Sequence, residues 1–211
     1  MIHRSRIIIL ILILIGLFFF ISGCTMPRTG DTHNITTALQ SYNTWTAEQK
    51  QFDRQVHLTI AQIGDHLNAY NVGIAQDQPD ITTLRGNVAA DRQILDQWGT
   101  DLAILTAATD QFSTDTAALD YGNSPQTKQT IDQLTQYMKI YTIDMGNAQQ
   151  HLIDYTTNAD MYMSPDDPAY WNDVYLNQAM TAKSQAMQSI ADADNAIAGI
   201  NSNAQQLQEL Q

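Results

Sequence analysis

Residues 81–119 read ITTLRGNVAADRQILDQWGTDLAILTAATDQFSTDTAAL. Ile81, Leu84, Val88, Asp91, Leu95, Trp98, Leu102, Leu105, Thr109, Phe112, Thr116 and Leu119 fall at alternating steps of three and four. That spacing keeps one stripe of a helix turned toward its partners, and a sustained 3.5-residue repeat supercoils left-handedly. The next stretch repeats it. Ile131, Leu134, Met138, Tyr141, Met145, Ala148, Leu152, Tyr155, Ala159 and Tyr162 alternate in the same way. Gly122 is expected to cap the first of these helices, and Ser124-Pro125 to start the second with a hydroxyl cap and proline at the first helical position.

Working outward, Phe52, Val56, Ile60, Ile63, Leu67, Tyr70 and Ile74 mark one face of an earlier helix over about 35–75, extended backwards by Leu39, Tyr42 and Trp45. The run 76–80 breaks it. After Tyr162, Ser164-Pro-Asp-Asp-Pro168 supplies a stop and a new start, with Asp167 as cap. A last helix is expected on Leu176, Met180, Met187, Ile190, Ile197, Ile200, Ala204 and Leu207, with Lys183 and Asp194 on the same stripe. Met138, Met145, Met180 and Met187 read as core filler. Four helices of ~60 Å with short connections make an all-α, elongated, antiparallel up-down-up-down four-helix bundle with coiled-coil-like seams. The alternative is a longer coiled-coil hairpin that dimerises.

The chain opens with a basic segment ending at Arg6, followed by the apolar run Ile7–Ile21 and then Ser22-Gly23-Cys24. A basic head, an apolar middle and small residues at the end are the parts of an export signal. The run is short for a permanent span. Ile21-Ser22-Gly23-Cys24 resembles a lipobox, the cleavage motif of prokaryotic surface lipoproteins. The resemblance covers residues 1–24. It implies cleavage between Gly23 and Cys24 and a lipid on the Cys24 sulfur. The expected organisation is a signal over 1–23, a lipidated tether over 24–33, and a helical domain over 34–211. An uncleaved N-terminal anchor is the other reading, and it too leaves the domain outside the membrane.

The chain holds 10 basic and 22 acidic residues, a formal net charge of −12. Arg4 and Arg6 leave with the signal, which deepens the imbalance. An acidic surface repels nucleic acid and anionic headgroups, so membrane lipid is expected as a partner through Cys24 alone. Cys24 is the one cysteine, so a mature domain has no disulfide, catalytic thiolate or Cys-ligated metal.

The spacing of carboxylates and imidazoles is poor in chemistry. Glu48 and Glu209 are the two glutamates, and no Glu-x-x-His pair of a di-iron bundle exists. His151 with Asp154, and Asp53 with His57, share helix faces, but His33, His57, His66 and His151 all read as solvent-facing. Asp160, Asp166, Asp167 and Asp173 could hold a cation weakly, though helix capping explains them more simply. Asp91 and Asp194 on seams are expected to pair with lysine (Lys183, Lys50 or Lys139), or else to rotate outward. No cofactor, no metal and no catalytic group is expected. Asn34-Ile35-Thr36 fits a glycosylation acceptor. Tyr70, Tyr162, Tyr170, Trp171 and Tyr175 crowd the end away from the N-terminus, either as a recognition tip or as a plug for the core.

These features imply a non-enzymatic, lipid-anchored protein on the extracytoplasmic face of a cell membrane, serving as a spacer or as an interaction module for an envelope protein. A ligand-sensing or solute-binding bundle is the alternative. Cys24→Ser should leave the precursor uncut or abolish detergent partitioning, and intact mass with phase separation reads both. Unchanged mature mass and partitioning would refute the lipobox.

Overall fold

The computed structural model describes residues 29–74, 80–121, 124–164 and 173–210. They form four helices: α1 (Thr29–Ile74), α2 (Ile81–Ala117), α3 (Pro125–Tyr162) and α4 (Asp173–Glu209). At 1.5 Å per residue each is about 55–70 Å long. Consecutive helices pack against each other, so the chain runs up, down, up and down. The bundle is all-α, as the seams required.

The helix ends follow local chemistry. α1 begins at Thr29, so residues 29–33 belong to the helix and not to the expected tether. Asp80 caps α2 by accepting from the Thr83 amide (3.1 Å) and hydroxyl (2.7 Å). α2 ends four residues before the expected point, at Ala117. Tyr121 folds back there and donates its hydroxyl to the Thr116 carbonyl (2.6 Å), which also accepts the Leu119 amide (3.2 Å) at the helix end. Pro125 opens α3 as expected, but the Ser124 hydroxyl makes no capping hydrogen bond, so proline alone marks that start. The proposed caps at Gly122, Asp167 and Pro168 lie outside the described residues.

The seams of α2 and α3 are buried as read, apart from half-buried Ile81 and Leu119 at the ends of α2's stripe. On α1 the buried face is Ile35, Ala38, Trp45, Gln49, Phe52, Val56, Thr59, Ile63, Leu67 and Tyr70. Rings from three helices interlock at mid-height. Trp45 and Phe52 of α1 meet Tyr141 of α3 edge-on at 6.2 and 6.3 Å, and Phe52 meets Trp98 of α2 at 6.0 Å. Buried threonines fit the seam by turning inward on their own helix. Thr59, Thr109 and Thr116 donate to the carbonyls of Gln55, Leu105 and Phe112.

α4 departs from the expected seam. Its buried face is Ala179, Ala182, Ala186, Ala193, Ala196, Ile200, Asn203, Ala204 and Leu207. Met180 and Met187 are exposed, Leu176, Ile190 and Ile197 are half-buried, and Asp194 faces solvent. The reason is volume. α3 already fills the shared space with Met138, Tyr141, Met145, Leu152 and Tyr155, so the facing helix must be small. α3 and α4 accordingly pack more closely than any other pair. Gly199 lies directly under the Tyr137 ring, where a Cβ would come within 2.6 Å of a ring carbon.

Ala186→Leu should therefore overpack the α3–α4 contact and destabilise the bundle by about 1–3 kcal/mol, whereas Met187→Ala should cost no more than about 0.5 kcal/mol. Urea denaturation of both variants measures this, and the reverse order would restore the methionine seam.

Candidate functional site

The aromatic tip resolves into a plug where it is described. Tyr70 and Tyr162 are buried and meet edge-on, centroids 6.5 Å apart, and Met163 is buried beside them. Tyr175 is half-buried, and Tyr170 and Trp171 lie outside the described residues. Tyr70 and Tyr162 therefore close the core and present no recognition surface. Asn34 is corrected as well. It is 8% exposed within α1, and its side-chain nitrogen donates to the Asp120 carbonyl. A glycan acceptor must offer that nitrogen to solvent, so the folded domain does not offer Asn34. Cys24 and Gly23 lie outside the described residues. No described helix is long and apolar enough to cross a membrane.

Seam charge is satisfied differently from expectation. Asp91 is 2% exposed, and its Oδ1 lies 2.6 Å from Nδ1 of His66, whose side chain is 25% exposed. No lysine is involved. His66 holds the next place on α1 after Ile63, three residues on, so strict continuation of the heptad through polar residues would have found it. Burial raises the Asp91 carboxyl above its usual range, and the His66 hydrogen bond and charge lower it in part. Tyr155 of α3 lies near enough to be raised by burial and then by Asp91. Asp160, once a candidate cation ligand, instead accepts from Arg85 Nε (2.9 Å) and Arg92 Nη1 (3.4 Å). Among the described residues no group of three metal-ligating side chains comes together.

A second polar cluster sits at mid-height. Asp53 of α1 accepts from the Tyr141 hydroxyl and the Gln49 amide. Burial raises its carboxyl, those two bonds and His57 lower it, and Asp194 of α4 raises it again. His57 Nδ1 sits 2.9 Å from the Asp53 backbone oxygen, so imidazole and carboxylate do not form a dyad. Asp194 therefore lies across from α1, with no lysine paired to it.

Asp194 marks the seam with the sparsest contact between neighbouring helices. Asn177, Gln178, Thr181 and Gln185 line a groove with Asp154 and Asn158 of α3. The opposite flank of α4 carries half-buried Leu176, Lys183, Ile190 and Ile197, with Met180, Met187 and Asp194 on an exposed stripe further out. That flank looks toward α1, and α1 and α4 touch least of the four neighbouring pairs. On α1, Ile60 is half-buried one heptad beyond Asp53, and open space surrounds the place a Cβ of Gly64 would take. Contact along the α1–α4 seam is therefore sparse, with half-buried Asp53 at its mid-length. The surface grooves, of about 330–480 Å³, lie between α1 and α2, between α2 and α3, and between α3 and α4.

No protein-family model, no curated protein and no solved structure matches this chain.

The buried acids predict an unusual pH profile. Asp53 and Asp91 have folded-state pKa values raised by burial, as does Asp144 beside Asp192. A raised acid costs stability while ionised, and the cost vanishes as pH falls through its folded value. The melting temperature should rise as pH falls from 7 toward the carboxylate range, and Asp91→Asn should flatten that rise. His66→Ala leaves a buried carboxylate unpaired and should cost about 3 kcal/mol at neutral pH. Calorimetry from pH 8 to 4 checks all three, and a melting temperature that falls monotonically on acidification refutes the assignment.

Proposed function

We propose that this chain is a lipid-anchored extracytoplasmic spacer whose bundle offers the apolar outer flank of α4 to a helix of an envelope protein. The anchor rests on residues 1–24, where the basic head, apolar run and Ile21-Ser22-Gly23-Cys24 stand in the order of an export signal. One observation carries the interaction reading. Leu176, Met180, Met187, Ile190 and Ile197 line the flank of α4 beside its least-packed neighbour, with Lys183 and Asp194 filling the intervening steps of three and four. Such spacing offers holes to the knobs of an added helix. The exposed apolar residues elsewhere, such as Leu58 on α1 and Ile143 on α3, stand singly and need no such explanation.

The bundle suits a spacer. Its core continues from Ile35 and Leu207 at one end to Tyr70 and Tyr162 at the other, so the helices transmit position along their length. Its acidity keeps it off anionic headgroups and nucleic acid. Disulfides are not needed at this size, because burial alone can hold the fold.

A photo-crosslinking side chain placed at Met187, Ile190 or Leu58 in the membrane-bound protein tests the reading. Positions 187 and 190 should yield a discrete conjugate and position 58 none. Met180→Asp with Met187→Asp should remove the conjugate from position 190 while shifting stability by no more than about 0.5 kcal/mol. Equal conjugation from all three positions, or none from 187 and 190, overturns it.

A further inference from the structure

The methionines divide sharply by exposure. Met138, Met145 and Met163 are buried, while Met161, Met180 and Met187 are 40%, 42% and 51% exposed. A thioether reacts with an oxidant only where the oxidant reaches the sulfur, and the product is polar. In a core that polarity disrupts packing. On α4 it does not, because alanines hold the helix and neither Met180 nor Met187 belongs to the buried face. The helix closest to its neighbour thus carries two accessible sulfurs that its packing does not use.

We propose that, among the described residues, Met161, Met180 and Met187 are the oxidation sites for peroxide-class two-electron oxidants, and that the bundle stays folded when they are converted. In each step a sulfur lone pair attacks one oxygen of hydrogen peroxide. An S–O bond forms as the O–O bond breaks. The sulfur gives up two electrons, the second oxygen leaves as water after taking the proton, and the product is methionine sulfoxide. Met180 and Met187 stand one heptad apart on one face, so their conversion makes the outer edge of α4 polar while Ile190 and Ile197 keep their contact with the core.

The test is hydrogen peroxide treatment of the full-length protein in detergent, with peptide mass mapping over time and a melting curve of the product. Met161, Met180 and Met187 should gain one oxygen at rates on the order of tenfold above Met138, Met145 and Met163, whose sulfurs are reached only through opening. In denaturant the six should react alike. The melting temperature after surface conversion should match the untreated protein. Met180→Leu with Met187→Leu should lower the early peroxide consumption by two equivalents, while Met138→Leu should leave it unchanged. Equal rates in the folded protein overturn the site assignment. A lowered melting temperature with only the surface set converted overturns the claim of tolerance.

Discussion

The contact of alanine on α4 with tyrosine, methionine and leucine on α3 governs how the other helices sit. Packing density in an interior is nearly fixed, so bulk on one face demands a small residue opposite. Ala179, Ala182, Ala186, Ala193 and Ala196 let α4 approach α3, and Gly199 under Tyr137 shows how close that approach is. A helix drawn toward one neighbour withdraws from the other. α1 carries Trp45 and Phe52 into the core and cannot follow, so its contact with α4 stays sparse. The sparse seam and the exposed methionines are therefore consequences of one volume constraint.

Buried polar groups then fix the register of helices whose apolar seams alone would slide by a heptad. Trp45 donates its indole N–H to Thr109 at 2.9 Å, Asp53 takes the Tyr141 hydroxyl, and Asp91 takes His66. A shift of seven residues would leave each of these without its partner at a cost of about 1–3 kcal/mol per neutral group and more for a charge. The accounting is not complete at every position. The Tyr70 hydroxyl, the Trp98 indole nitrogen and the Asn203 side-chain oxygen are buried with no hydrogen-bond partner. Each sits where shape filling outweighs satisfaction: Tyr70 in the terminal plug, Trp98 against Phe52, and Asn203 on the small face of α4.

Legibility followed side-chain size. α2 and α3 mark their buried faces with Leu, Trp, Met and Tyr, so period and burial agree residue by residue. α4 hides its face because alanine carries little hydrophobic signal, and the eye goes to Met180 and Met187 instead. On α1, Gln49, Thr59 and His66 occupy seam positions in polar disguise, which is why the His66–Asp91 pair escaped a search keyed to lysine. Tyr70 and Tyr162 were located at the correct end, but periodicity does not say whether a terminal ring points in or out. A three-residue motif does not report burial, so Asn34 passed as an acceptor while its amide was engaged. The sparse α1–α4 contact had no sequence signal at all, since it is a property of how two helices approach.

If Cys24 carries the proposed lipid, the same geometry sets how the acidic domain stands above a membrane. Met187 lies 22 residues from the end of α4 at Glu209, which is roughly 33 Å along the axis at 1.5 Å per residue. Glu209 shares its end of the bundle with Thr29, where the chain leads back toward Cys24. Screening in physiological salt acts over about 8 Å, so an α4 flank at that height would be electrostatically independent of anionic headgroups below it. Repulsion between the acidic bundle and an acidic surface would then act only at the near end, favouring an upright stance without affecting what the flank admits. Selection there would fall to shape and to Lys183 and Asp194, which carry opposite charges along α4.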